Sequence, residues 1–170
     1  MRNAARHAAR SKPAATLAAP SAAPSASLEL RRVVAAPRDR VFDAWTDAAL
    51  IPEWFKPGAV PLRSVELQLR AGGAWRMVMD GPGGRALTGG GVFLEVDRPR
   101  RIVYTWNWEP DVIGRETIVT VEFHERDGGT EIVLRHDGFP TPRPVPGHRA
   151  GWTACLDAMS ILISRTEAST

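Results

Sequence analysis

Four histidines and one cysteine are the side chains here that could act as base, nucleophile or soft metal ligand near neutral pH: His7, His124, His136, His148 and Cys155. Their spacing excludes the common metal frameworks. There is no HExxH pair on a helix turn and no CxxC. His124-Glu125 and His136-Asp137 are adjacent pairs, and adjacent side chains of a strand point to opposite faces. No metal and no cofactor is expected. Cys155 lies three residues after Trp152 on an apolar helical stripe, where a thiol packs rather than reacts. No nucleophile stands beside a base, so no catalytic residue is assigned. His136 shares a strand face with Ile132 and Leu134, and His148 opens the stripe of the last helix. Both face an apolar interior. An imidazole there can orient a ligand or exchange a proton, or it can simply hydrogen-bond a loop and seat a helix end.

The elements that must position them follow from periodicity. LELRRVVA, from Leu28, reads as a first strand. PRDRVFDAWTD reads as a short helix with Val41, Phe42 and Trp45 on one face, and PEWF as a second, closed by Pro57-Gly58. Six strand-like runs follow. SVELQL sets Val65, Leu67 and Leu69 together. AWRMVMD sets Trp75, Met77 and Met79 together, and GGVFLEVD does so for Val92, Leu94 and Val96. RIVYTWNW aligns Ile102, Tyr104, Trp106 and Trp108. ETIVTVEFHE aligns Thr117, Val119, Val121 and Phe123, and TEIVLRH ends on His136. Asp127-Gly128-Gly129 is a hairpin signal. GPGG and TGGG do not lead a strand into a helix, so they read as turns and bulges, not phosphate loops. After FPTPRPVP, residues 147–164 are helical, with His148, Trp152, Cys155, Leu156, Met159 and Leu162 three or four apart.

Strand, two short helices, six strands and a long helix make an α+β fold. Short turns imply an antiparallel sheet, and one apolar face per strand implies cover on one side. The last helix is the one element long enough to provide it, so a curved sheet should grip that helix. Six segments in order carry a resemblance: APRDRVFDAWTD, EWF, GGAWRMVM, GVFLEVDRPRRIVYTW, TIVTVEFHERDGGTEIVLRHDGF and HRAGWTACLDAM. Together they resemble the START-like (SRPBCC) superfamily, and within it the family of the heat-shock protein 90 ATPase activator homologue, in its C-terminal domain type. The resemblance spans residues 28–166 and implies a helix-grip fold with a hydrophobic cavity between sheet and last helix. It also implies three functions to weigh: binding of a lipid-like or aromatic ligand, polyketide cyclase or hydrolase chemistry on a cavity histidine, or attachment to a chaperone. Eukaryotic activators bind the chaperone through an additional N-terminal domain with its own motif, which this chain does not match, so chaperone binding is not expected.

A sheet around one helix has more inner face than the helix covers, so large side chains must fill the space or line it. Trp75, Met77, Met79, Tyr104, Trp106, Trp108, Val121, Phe123, Trp152 and Met159 are the candidate lining, with His136 and His148, and Trp54 and Phe55 at the mouth. The expected partner is a small hydrophobic molecule. Tryptophans also serve dimer contacts, so a homodimer is compatible with the sequence.

Composition narrows the classes. At 44% hydrophobic and 24% charged the chain is globular. Arg2, Arg6, Arg10 and Lys12 precede the first acid, Glu29, which leaves the rest of this +3 chain at −1. The domain therefore offers no electrostatic basis for nucleic-acid binding. Arginine outnumbers lysine throughout the chain, which reads as genome composition. Residues 1–27, rich in Ala, Pro, Ser and Arg, read as a disordered tail or an organellar targeting segment ahead of one domain at 28–166. No run approaches a membrane span. A lone cysteine and no apolar leader point to the cytoplasm.

Overall fold

The structure, a computed structural model, describes residues 25–167. The proposed tail thus lies outside the described residues up to residue 24. Seven antiparallel strands form one sheet: β1 (Ala26–Val34), β2 (Leu62–Leu67), β3 (Ala74–Asp80), β4 (Ala86–Asp97), β5 (Arg101–Glu109), β6 (Thr117–Arg126) and β7 (Gly129–Phe139). Their order is β1-β7-β6-β5-β4-β3-β2, a meander whose first strand returns to pair with the last. β1 starts two residues before the expected Leu28, pairing Ala26 with Phe139 and Ser27 with Asp137. Asp127-Gly128 joins β6 to β7 in two residues, with Gly128 at φ 78, a conformation that favours glycine.

Alternation predicts the inner face correctly on β3, β5, β6 and β7. Trp75, Met77, Met79, Ile102, Tyr104, Trp106, Val119, Val121, Phe123, Ile132, Leu134 and His136 are all buried. On β4 it fails. Val92 and Leu94 are 39% and 49% exposed, and Phe93 is the buried residue. The cause is a register shift between Phe93 and Glu95. Up to Phe93, odd positions face inward. The extra residue reverses the parity, and Val96, opposite Ile102, packs against the core.

The TGGG run is a second departure, for it lies inside β4 rather than in a turn. Gly89 and Gly91 stand opposite Met77 and Trp75. A Cβ on Gly91 would lie 2.1 Å from the Thr105 carbonyl oxygen, and one on Gly89 would lie 2.6 Å from Met77 Cε. Without those side chains the Trp75 indole donates its Nε1–H to the Thr105 carbonyl, 3.0 Å away. The glycines are room for aromatics.

Three helices cover the inner face, not one. α3 (Val145–Glu167) is the long one, starting two residues into the expected loop. Its Trp152, Cys155, Leu156, Met159 and Ile163 are buried. α1 (Arg38–Thr46) and α2 (Ile51–Trp54) close the remaining end with Val41, Phe42, Trp45, Ile51 and Trp54. Burial of this set is the main stabilising contribution, at about 1.5–3 kcal/mol per large apolar side chain. The outer face carries ion pairs instead, such as Arg135–Glu29 at 2.8 Å and Arg101–Glu122 at 3.9 Å. No described helix is long and apolar enough to cross a membrane.

Candidate functional site

Two cavities lie between sheet and helices, sharing a wall of Phe55, Trp106 and Trp152. The smaller, about 60 Å³, sits under α1 and α2 and is lined by Trp45, Trp54, Trp75, Met77, Phe93 and Tyr104 among others. It holds little more than water. The larger, about 420 Å³, opens beside the start of α3 and falls within the range of small-molecule sites. Met79 and Leu87 form its sheet side, Trp108 and Val112 its flank, and Pro57 and Val60 a lip after α2. α3 contributes Gly147, His148, Gly151, Trp152 and Cys155.

Two glycines of α3 border the void. Gly147 and Gly151 are one helical turn apart and both line it. A Cβ on Gly147 would meet nothing within 4 Å, and one on Gly151 would meet Pro57 Cβ at 3.3 Å. A side chain at Gly147 would therefore enter open space, while Gly151 lets α3 approach Pro57 closely.

The candidate lining residues therefore divide. Met79, Phe55, Trp106, Trp108, His148 and Trp152 surround the larger cavity, and Trp54, Trp75, Met77 and Tyr104 the smaller. Val121, Phe123 and Met159 line neither; they are buried core, with Phe123 edge-on against Phe42 and Trp45 of α1. Trp54 and Phe55 are not at a mouth. Trp54 is 2% exposed with its Nε1–H donated to the Ala44 carbonyl, and Phe55 stands in the wall between the cavities. Among the residues that sequence reading missed are the glycines, Val60, Asp80, Leu87, Val112 and Arg143. A glycine pair four apart beside an apolar stripe was the available signal.

His136 lines neither of these cavities. It is fully buried, and both ring nitrogens are occupied. The Trp152 indole donates its Nε1–H to Nδ1 at 3.2 Å. Nδ1 is therefore the bare nitrogen, and Nε2–H donates to Thr117 Oγ1 at 2.7 Å. The Thr117 hydroxyl then donates to the Trp106 carbonyl at 3.1 Å. Burial pushes the His136 pKa down to about 3, and His148 nearby adds to the shift.

His148 is half-buried on the cavity wall. Its Nδ1–H donates to the Pro144 carbonyl at 2.9 Å, and its Nε2 accepts the Trp108 Nε1–H at 3.1 Å. Burial lowers its pKa, with the Pro144 carbonyl opposing. Both imidazoles are thus neutral in the fold with every ring nitrogen engaged. They hold tryptophans in place and offer no free lone pair to a substrate proton. Cys155 also borders the cavity, but burial pushes its thiol up to about 12, far from a reactive thiolate. Burial likewise raises the Tyr104 phenol, against a hydrogen bond from Trp45. Among the described residues no group of three His, Cys, Asp or Glu side chains could hold a metal ion.

Comparison with known proteins gives the same outline. The family model described as activator of Hsp90 ATPase homolog 1-like protein matches residues 35–164. No curated protein matches. Among solved structures, a protein from Chromobacterium violaceum is 26% identical, with TM-score 0.75, over 81% of this chain and 96% of that one. A Rhodobacter sphaeroides protein is 28% identical, with TM-score 0.71, over 84% and 92%. The AHSA1 protein of Silicibacter pomeroyi, 24% identical with TM-score 0.71 over 85% and 100%, shares the fold.

Proposed function

This chain belongs to the activator of Hsp90 ATPase homolog 1-like family, and from that premise we propose that it is a non-catalytic binding protein for a small lipid-like or aromatic molecule. The observation that carries the reading is the 420 Å³ cavity at the start of α3, walled by Met79, Trp106, Trp108 and Trp152. Flexible methionine beside rigid indoles suits an adaptable apolar site. Enclosure of an apolar body there removes both ligand and wall from water, at about 25 cal/mol per Å². The non-catalytic half of the reading is supported by the imidazoles, whose nitrogens are all committed to internal partners.

A panel of fatty acids, fatty alcohols and fused-ring aromatics, screened by thermal shift and tryptophan fluorescence, tests the reading. A ligand at 100 times its Kd should stabilise the fold by about 2.7 kcal/mol. Gly147→Phe should abolish that response, because its ring would occupy the void. If no compound shifts the melting temperature, or the variant responds like the parent, the reading fails.

A further inference from the structure

Resting on that reading, we propose that the ligand is an amphipathic anion whose acidic group meets Arg143 at the rim while its apolar body fills the cavity. The larger cavity has two lining residues with formal charge, Asp80 and Arg143. Asp80 is already neutralised, for Arg63 forms an ion pair and hydrogen bond with its carboxylate. Arg143 has no hydrogen-bond or ion-pair partner among the described residues. It is exposed, so its charge costs nothing to hold in water, yet its side chain forms part of the cavity border.

Among the other polar side chains of the wall, the Trp106 Nε1–H is buried without a partner, and the rest are engaged. His148 is bonded to Trp108 and Pro144, and the Trp152 indole to His136. The Trp106 Nε1–H can serve any acceptor oxygen, but an acid also finds a guanidinium able to bind two oxygens at once. α3 begins two residues after Arg143, so the positive end of its dipole adds field of the same sign at this rim. The remaining lining, including Met79, Leu87, Trp106 and Trp108, is apolar and asks for hydrocarbon or rings. The two demands together describe a fatty or aromatic acid.

The test compares headgroups on constant bodies. Calorimetric titration would use decanoate and 2-naphthoate, their primary amides, and the corresponding primary amines. The acids should bind about tenfold tighter than the amides, a preference that shrinks as salt rises from about 0.05 to 0.5 M. Arg143→Gln should erase the preference, bringing the acid to the level of the amide in the same variant, and Arg143→Lys should keep part of it. Equal binding of acid and amide would overturn the anion proposal and leave the cavity reading standing. Tighter binding of the amines would overturn it in favour of Asp80. If no probe binds at all, cavity reading and anion proposal fall together.

Discussion

The two halves of α3 lie over the same sheet and do opposite things. Along its second half, Leu156, Met159 and Ile163 share one core with Phe123, Ile132 and Leu134, and none of these is more than 4% exposed. Along its first half the facing wall is just as rich in large side chains, with Trp106, Trp108 and Met79, yet a 420 Å³ void remains. The difference lies on the helix. Where the second half presents methionine and isoleucine, the first presents Gly147 and Gly151. At Gly147 a side chain is left out beside open space, while Gly151 draws α3 against Pro57.

The sharpest way to break this contrast is to truncate both halves. Phe123→Ala, in the filled half, should cost about 3–5 kcal/mol in urea unfolding, since its ring packs edge-on against Phe42 and Trp45. A loss below about 1 kcal/mol would mean that this half also has slack.

Acid probes the seam between the halves, where His136 sits. Its folded pKa of about 3 is below the ordinary value of 6.5. The neutral form is favoured by folding, so this contribution is complete above pH 6.5 and is lost as pH falls toward 3. The slope should reach about 1.4 kcal/mol per pH unit. His148, lowered in the same direction, adds to it. Arginine-held carboxylates such as Glu29 and Asp97 lose their share only below their ordinary values, 4.5 and 3.8. The decline between pH 6.5 and 4.5 therefore belongs to the histidines. His136→Gln should flatten it in urea titrations at stepped pH, and an unchanged slope would refute the assignment.

Trp108→Ala, in the open half, should cost less than Phe123→Ala, about 1–2 kcal/mol, because the indole is only half-buried. It should also weaken ligand binding, which Phe123→Ala at equal occupancy of the folded state should not. Equal stability losses with binding intact would make the whole aromatic row core. Gly147→Leu should have the smallest effect on stability, between no change and a gain of about 1 kcal/mol, since helix interiors disfavour glycine and the added side chain meets open space. A loss above 1 kcal/mol would show the space to be occupied.

The architecture was legible because the parity of the large apolar residues marks the inner face on four of the seven strands. β4 was not, for a physical reason. Its inward positions 89 and 91 are glycines, which carry no hydropathy signal, and the register shift after Phe93 makes Val92, Leu94 and Val96 look like one face when they are not. The apolar row of the candidate site was legible too, as Trp106, Trp108 and Trp152. The division into filled and open halves was not. It depends on missing side chains, and a stripe counted from the residues present passes over Gly147 and Gly151. The part played by α1 and α2 was also hidden, because short helices look too small to cover a sheet until Trp45 is seen against Trp54, and Phe42 and Trp45 edge-on against Phe123.

The tryptophans have one more property. Trp54 lies against Trp45, Trp45 against Trp152, Trp152 against Trp106, and Trp106 against both Trp75 and Trp108, with successive ring centroids 4.8 to 6.0 Å apart. All six indoles thus form one unbroken chain from the buried end under α2 to the rim of the open cavity. Transition dipoles at such separations couple, so the protein absorbs and emits as an array rather than as six independent dyes. Its far-ultraviolet circular dichroism should carry an exciton signal on top of the backbone bands, and helix content read from that spectrum alone should disagree with the fold. Excitation entering at Trp54 can migrate to Trp108, which makes the whole array an antenna whose output changes when the terminal ring is touched.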